Sequence, residues 1–332
     1  MSRVLMGVDV GGTTISGGLF TPAGEIVHVL QTPTHREGPG TAVDALLGVV
    51  GDLVAEAHRQ GLELTGVGIG IPGVVDPRTG VMPAFPNHVP EFGDVQLAER
   101  IHAKTGLPVF IDNDVNALAL AEWMFGLGRG ASSLVVLAIG TGLGGGIVVE
   151  GHLMRGHRGY AGELGHVSLN LSGPRCMCGC RGCLAAYLGG ESLARRAREL
   201  SGHRPDSTLL ALAGGDPEAV TSALVFRAAA AGDAAMMGLV DEACEALAAG
   251  LGGILNAFNP EVVVVTGGVV QSLLPLREDV MRRAGNYALP GILPKTRVHF
   301  VTADKRRTAL GGAALVLYEL ARRSLAESQP EV

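Results

Sequence analysis

Twice in this chain an apolar strand runs straight into a glycine-rich turn, and that duplication narrows the possible folds more than any other feature. The first copy is Val4 to Val10, then Gly11-Gly12-Thr13-Thr14 and a second strand through Leu19 and Phe20. The second is the strand from Leu134, then Gly140-Thr141-Gly142, a glycine-rich strand to Val149 and a turn at Glu150-Gly151. Strands joined by short glycine turns make antiparallel hairpins, so the chain reads as two similar halves, each opening a sheet. In the first half, Pro22-Ala23-Gly24 leads to a third strand near Ile26. Val43, Leu46, Leu47, Val50, Leu53, Val54 and Ala57 then fall at helical spacing over residues 41 to 59, an amphipathic helix facing a sheet. This is α/β order. The strand Val67 to Ile71 ends at Pro72-Gly73 and the strand Val109 to Asp112 at Asn113-Asp114, and ligands in open α/β sheets bind at such strand ends. Residues 234 to 258 and 308 to 324 read as helices, with a buried-type strand Val262 to Val265 between them that ends at Thr266-Gly267-Gly268.

Composition removes several classes of function. At 332 residues the chain exceeds the size at which one core stops growing, so two lobes are expected. Apolar residues at 47%, charged residues at 17% and 50 glycines describe a globular chain rich in tight turns. A net charge of −6 with both signs interspersed offers no basic stripe for a phosphate backbone, so no nucleic-acid partner is expected. The most apolar stretch, Leu134 to Val149, carries five glycines and is too short to span a bilayer, so no membrane association is expected. The N-terminus enters a strand directly, without an apolar leader, and a cytoplasmic location follows as an expectation.

Several clusters point to chemistry. Asp9-Val10-Gly11-Gly12-Thr13-Thr14 sets a carboxylate at a strand end, then glycines that let backbone approach a phosphate, then two hydroxyls. Its counterpart Gly140-Thr141-Gly142-Leu143-Gly144 has the same chemistry, and two such loops suit a polyphosphate. Neither is a Walker A loop, because no Gly-Lys-Ser/Thr follows. Asp114 is placed to accept the proton of an attacking hydroxyl, and equally to cap the helical run that follows it. Cys176, Cys178, Cys180 and Cys183 put four of five cysteines within eight residues, ten residues after His166. In a reducing compartment that density favours tetrahedral zinc over a redox pair; the spacing leaves open which thiols bind and whether His166 joins them. Glu163 and His166, three apart, suit vicinal hydroxyls or a solvated turn. Cys244, in an apolar helical run, reads as core.

Taken in order, DVGGTT at 9 to 14, IDNDVNA at 111 to 117, GTGLGGGIV at 140 to 148, GYAGELGH at 159 to 166, CMCGCRGC at 176 to 183 and NPEVVVVTGG at 259 to 268 resemble the ROK family of bacterial sugar kinases and sugar-responsive repressors. The likeness covers nearly the whole chain. It implies an actin-like, ribonuclease H-like α/β fold with two lobes around a central cleft. It also implies a small N-terminal lobe over 1 to 117 completed by a C-terminal helix at about 308 to 325, and a large lobe over 118 to 307. The implied activity is ATP-dependent phosphorylation of the primary 6-hydroxyl of a hexose, with magnesium (Mg2+) and structural zinc (Zn2+), in a homodimer.

By the same resemblance Asp114 is the catalytic base, and Asn87, Asn113, Glu163 and His166 are sugar ligands. His166, Cys176, Cys178 and Cys183 hold zinc, leaving Cys180 as an extra. Asp9, Gly11, Gly12, Thr13 and Thr14 with Gly140, Thr141, Gly142 and Gly144 serve magnesium and phosphates, and Gly267 and Gly268 serve adenosine. Two departures matter. Thr14 stands where the family commonly has Lys. Ala185 stands where it usually has a Glu that helps hold the sugar, a loss of about 1 to 3 kcal/mol per unsatisfied group. An amino sugar, an N-acetylhexosamine or a cyclitol would fit a pocket enlarged at Ala185. The repressors of the family carry a helix-turn-helix ahead of the first glycine motif, which here begins at Gly7; a repressor or a silent sugar sensor is the alternative expectation.

Overall fold

In the computed structural model, which describes residues 2–83, 89–202, 207–304 and 308–327, each glycine turn does open a sheet. The first sheet contains β1 (Arg3–Val10), β2 (Thr14–Phe20), β3 (Ile26–Pro33), β4 (Glu63–Ile71) and β5 (Val109–Asn113), in the order β3-β2-β1-β4-β5. The meander β1 to β3 is antiparallel, whereas β4 and β5 run parallel to β1. The second contains β6 (Ser133–Ile139), β7 (Leu143–Val149), β8 (His152–Leu153), β9 (Val262–Thr266) and β10 (Arg297–Phe300). From its β8 edge it reads β8-β7-β6-β9-β10, the same order as the first, with β9 parallel to β6 and β10 parallel to β9.

The chain divides into two compact units. Unit 1 takes in Met1–Ser132, Gly146–Gly162 and Asp304–Val332, and unit 2 takes in Ser133–Gly145 and Glu163–Ala303. In unit 1, α1 (Ala42–Arg59) joins β3 to β4, α2 (Leu97–Thr105) joins β4 to β5, and α3 (Asp114–Phe125) follows β5 at once. The apolar face read from the sequence of α1 is the buried one: Leu46, Val50, Leu53 and Ala57 have no exposed surface and share a core with Val8, Ile15, Ile69 and Ile71. Each fully buried aliphatic side chain of this kind stabilises by about 1.5 to 3 kcal/mol.

The C-terminal helix α11 (Leu310–Glu327) belongs to unit 1 and lies directly on its sheet. Glycines permit that approach. A methyl on Gly68 of β4 would stand 1.9 Å from the carbonyl oxygen of Gly312, and one on Gly7 of β1 would stand 2.0 Å from that of Ala309.

Unit 2 has near-continuous apolar strands, Leu134 to Leu137 and Val262 to Val265 being wholly buried, as sheet strands covered on both faces require. Its helices are α4 (Leu184–Leu188), α5 (Gly190–Ser201), α6 (Thr208–Leu212), α7 (Ser222–Ala230), α8 (Ala234–Phe258), α9 (Val270–Leu273) and α10 (Arg277–Ala284). The longest, α8, begins under an Asp233 cap and ends at Asn259 in the left-handed conformation. Among the described residues no single helix is long and apolar enough to cross a membrane.

Candidate functional site

In unit 1 the parallel strands β1, β4 and β5 bring Asp9, Gly70 and Asp112 into register across the sheet. Gly70 is closely packed: a methyl there would lie a tight 3.1 Å from the Cα of Asp114, so the first turn of α3 rests on β4. Asp9 and Asp114 thereby share one end of the sheet. Burial, together with the negative charge of Asp114, pushes Asp9 up to about 7 against the opposing pull of a hydrogen bond with Thr308.

The turn after Asp9 is held from behind. The Gly11 N–H donates to the Thr14 carbonyl at 2.9 Å, and the fully buried Thr34 donates its hydroxyl to the Gly11 carbonyl at 2.6 Å and its N–H to the Thr13 carbonyl at 3.0 Å. Gly12, Thr13 and Thr14 are left exposed on a braced backbone. Thr34 carries no motif, and only the folded β2 and β3 reveal it.

The capping role weighed for Asp114 falls to its neighbour. Asn113 Oδ1 accepts from the N–H groups of Val115 (2.9 Å) and Asn116 (3.1 Å), and its Nδ2 donates to the Gly73 carbonyl at 3.0 Å. Asp114 is the first residue of the helix proper, with one oxygen 2.9 Å from the Val115 N–H. An amide offers two N–H donors, so Asn113 keeps one for a ligand. Behind the turn the buried Asp112 accepts from the Asn113 N–H (2.7 Å), from Asn116 Nδ2 (2.9 Å) and from Arg155 Nε (2.5 Å). Asn87 lies outside the described residues.

In unit 2 the backbone of Gly190 and Glu191 closes on the turn at Gly140 and Thr141. The Gly142 carbonyl accepts from the Gly140 N–H (3.0 Å), the Gly140 carbonyl from Gly190 (2.9 Å), and the Thr141 carbonyl from Glu191 (3.0 Å). Gly267 and Gly268 follow β9, the parallel neighbour of β6, and the Val269 N–H closes on the Ile139 carbonyl at 3.0 Å. Gly267 has a φ of 109° and a methyl there would be 2.4 Å from that carbonyl, so only glycine fits. Methyls on Gly140, Gly142 or Gly268 would meet nothing within 4 Å, which leaves room against this backbone for a ligand. Gly144 continues into β7. The start of α5 at Gly190 adds a helix N-terminus to this group, a feature the Leu188-Gly189-Gly190-Glu191-Ser192 run signals only once the fold places it.

Within the cysteine cluster four donor groups come together that could hold a metal ion. One ligand atom each from His166, Cys176, Cys178 and Cys183 lies within 4.8 Å of all the others. Cys176 Sγ is 3.6 Å from His166 Nδ1 and Cys178 Sγ is 3.8 Å from Cys183 Sγ. Tetrahedral zinc with bonds near 2.3 Å sets sulfurs about 3.8 Å apart, so the donors fit that ion. Burial and the neighbouring thiols Cys178 and Cys176 push Cys183 up to about 12, a thiol that ionises readily only against a cation. Cys180 is exposed and stands outside the four; its carbonyl instead accepts from the Cys176 N–H at 2.8 Å. Glu163 Oε2 is 3.8 Å from His166 Nε2, the ring nitrogen turned away from Cys176. Cys244 is core, as its helical context indicated. Ala185 is buried in α4, and its carbonyl accepts from Gly189, which neighbours Thr141 and Gly142.

The ROK family profile matches residues 5–319. The chain belongs to the ROK family. Glucokinase of Thermotoga maritima is 35% identical over 317 residues, 94% of this chain and 96% of the relative. A ROK hexokinase from Thermus thermophilus superposes with a TM-score of 0.79 at 32% identity, covering 96% of this chain and 99% of its own. A ROK glucokinase from Streptomyces griseus, solved with glucose and AMPPNP, gives 0.74 at 30% identity over 96% and 99%. With its two mixed sheets and their helices, this ROK protein has the actin-like ATPase fold of those kinases.

Proposed function

We propose that this chain, an ATP-dependent sugar kinase, moves the γ-phosphoryl group of ATP to the primary 6-hydroxyl of a hexose with Asp114 as general base. The observation that carries the reading is the acid pair of unit 1, Asp9 and Asp114, beside an exposed, braced Gly-Thr-Thr turn. The hydroxyl proton passes to the Asp114 carboxylate as its oxygen bonds to the γ-phosphorus. The bond from that phosphorus to the bridging oxygen breaks and ADP leaves. Asp114 sits in the first turn of α3 with one oxygen 2.9 Å from the Val115 N–H, a position that fixes its carboxylate at the sheet end it shares with Asp9.

Gly11, Gly12, Thr13 and Thr14, with Gly140, Thr141, Gly142 and Gly144, are the phosphate-holding backbone, and Gly267 and Gly268 are the adenosine contact. Magnesium, when bound, supplies positive charge against the phosphates. Asp9 is the residue that would hold it, the cation replacing the proton that Asp9 otherwise keeps to about pH 7. Asn113 would bind the sugar with its remaining N–H, and Glu163 and His166 with the groups the cysteines leave them. Asn87 is assigned to the same task by resemblance alone. Zinc on His166, Cys176, Cys178 and Cys183 would fix the segment that carries Glu163.

Ala185 favours a second reading of the acceptor. A buried alanine beside the Gly189 turn brings no carboxylate to the sugar, which suits an acceptor altered at the anomeric side. Release of ADP across glucose, mannose, N-acetylated and amino hexoses and cyclitols, with NMR location of the new phosphate, tests both readings. A 6-phosphate is expected. Transfer to another hydroxyl overturns the proposed regiochemistry, and strong preference for glucose removes the altered-acceptor reading.

A further inference from the structure

A recess of about 690 Å3 lies wholly within unit 1, and none of the residues assigned above to catalysis or nucleotide binding lines it. Its charged lining is lopsided. Arg78, Arg155, Arg322 and Arg323 face it against a single carboxylate, Glu319, with Phe110 and Leu315 as apolar wall.

The four guanidinium groups are not equivalent. Arg155 is committed: its Nε donates to Asp112 at 2.5 Å, its Nη2 donates to Glu319 at 2.6 Å, and only 12% of its side chain is exposed. Arg78 forks onto Asp76 at 3.3 and 3.1 Å. Arg322, by contrast, reaches only Glu319 among the described residues, at 3.5 Å, and the same oxygen is already held by Arg155. Arg323 makes no ion pair among the described residues; its guanidinium carbon lies 4.7 Å from the centre of the Phe110 ring. Among the described residues, two adjacent cations on the last turns of α11 therefore present charge that is largely uncompensated. Stacking on Tyr318 (5.6 Å) and Phe110 holds their planes in place.

We propose that this recess binds a small phosphate-bearing metabolite, the phosphate on Arg322 and Arg323 and the carbon skeleton against Phe110 and Leu315. A guanidinium fork matches phosphate oxygens in pairs, and a ring-stacked arginine gives up little freedom to do so. The volume is that of a small-molecule site, too small for a folded partner or a nucleic-acid duplex. The recess also reaches the turn that carries Asp114. An anion that takes Arg322 leaves Glu319 to Arg155 alone, and Arg155 grips Asp112, whose other oxygen accepts from the Asn113 N–H and the Asn116 side chain. The ligand is thus an effector rather than a reactant, and this regulatory part alone rests on the kinase reading.

The test is calorimetric titration of glucose 6-phosphate, and separately of inorganic phosphate, into the full chain saturated with glucose and a non-hydrolysable ATP analogue. The comparison is with an Arg322→Gln, Arg323→Gln double variant; both side chains are exposed, so the fold tolerates the change. Loss of two charge-assisted contacts is expected to weaken binding about tenfold or more, and Arg323→Lys, which keeps the charge without the fork, is expected to fall in between. Glucose 6-phosphate should bind more tightly than inorganic phosphate; equal affinities would overturn the place given to the carbon skeleton. No uptake by the saturated chain, or equal affinity in the double variant, would overturn the site itself. Failure of the kinase reading would appear separately, as wild-type chain without turnover, and the contrast between wild type and double variant can then be read on the chain alone.

Discussion

The two sheets share one strand order and one glycine-turn opening, yet their strand ends differ in charge. In the first, β1 ends near Asp9, and β5 delivers Asp112 and then Asp114. In the second, β6 ends at Ile139-Gly140 and β9 at Thr266-Gly267, with no acid in either turn. The glycines differ in the same sense. At Gly68 and Gly7 of the first sheet other backbone presses close, whereas in the second Gly140, Gly142 and Gly268 face open space beside a tightly held Gly267. One half of the duplicated plan brings acids together at its strand ends. In the other, the backbone at Gly140, Gly142 and Gly268 is bare and leaves room for a ligand.

The largest effect expected from this contrast is on folding. Gly68→Ala puts a carbon 1.9 Å from a carbonyl that cannot move without α11, and should destabilise unit 1 by about 3 kcal/mol or more. Gly142→Ala should leave the melting temperature within a degree or two and instead raise the KM for ATP. Equal melting temperatures for the two variants would break the comparison.

Asp9→Asn comes next. A carboxyl held near pH 7 in the folded chain and near 3.8 when unfolded binds its proton more tightly in the native state. Its contribution to stability is therefore fullest at low pH and is lost as pH rises toward 7. Without nucleotide, the variant should gain on the wild type between pH 5 and pH 8, by on the order of a few kcal/mol at the upper end, while losing turnover. Denaturant unfolding across that range checks the sign, and parallel curves would remove Asp9 from its assigned environment.

The smallest effect is expected at Thr34→Val, which deletes the hydroxyl under Gly11 while keeping the shape. About 1 kcal/mol of stability and a several-fold rise in the KM for ATP, with the affinity for sugar unaltered, should follow. A change in sugar binding alone would contradict the bracing role.

Much of this was readable beforehand wherever the signal is local. The periodicity of residues 41 to 59, the glycine turns and the buried run at Val262 to Val265 report contacts made by neighbours in sequence, and α1, the two hairpins and β9 match them. Asn113 and Asp114 are both capping types, so one-dimensional reading could not divide the roles; Gly73 decides it by anchoring the Asn113 amide. The cysteine density pointed to four donors that could hold a metal ion, but the exposed position of Cys180 appears only when the loop is folded. The grip of Arg155 on Asp112 and Glu319 was invisible, because the partners lie 43 and 164 residues apart and, although Asp112 falls within the IDNDVNA segment, neither Arg155 nor Glu319 carries a motif.

The central claim, that Asp114 accepts the proton while Asn113 holds the helix, is tested most directly by Asp114→Asn with turnover and glucose affinity measured on the same preparation. Turnover is predicted to fall by about 100- to 10,000-fold with glucose affinity changed by less than about threefold. Turnover within tenfold of wild type, or a loss that tracks lost glucose binding, would contradict the account.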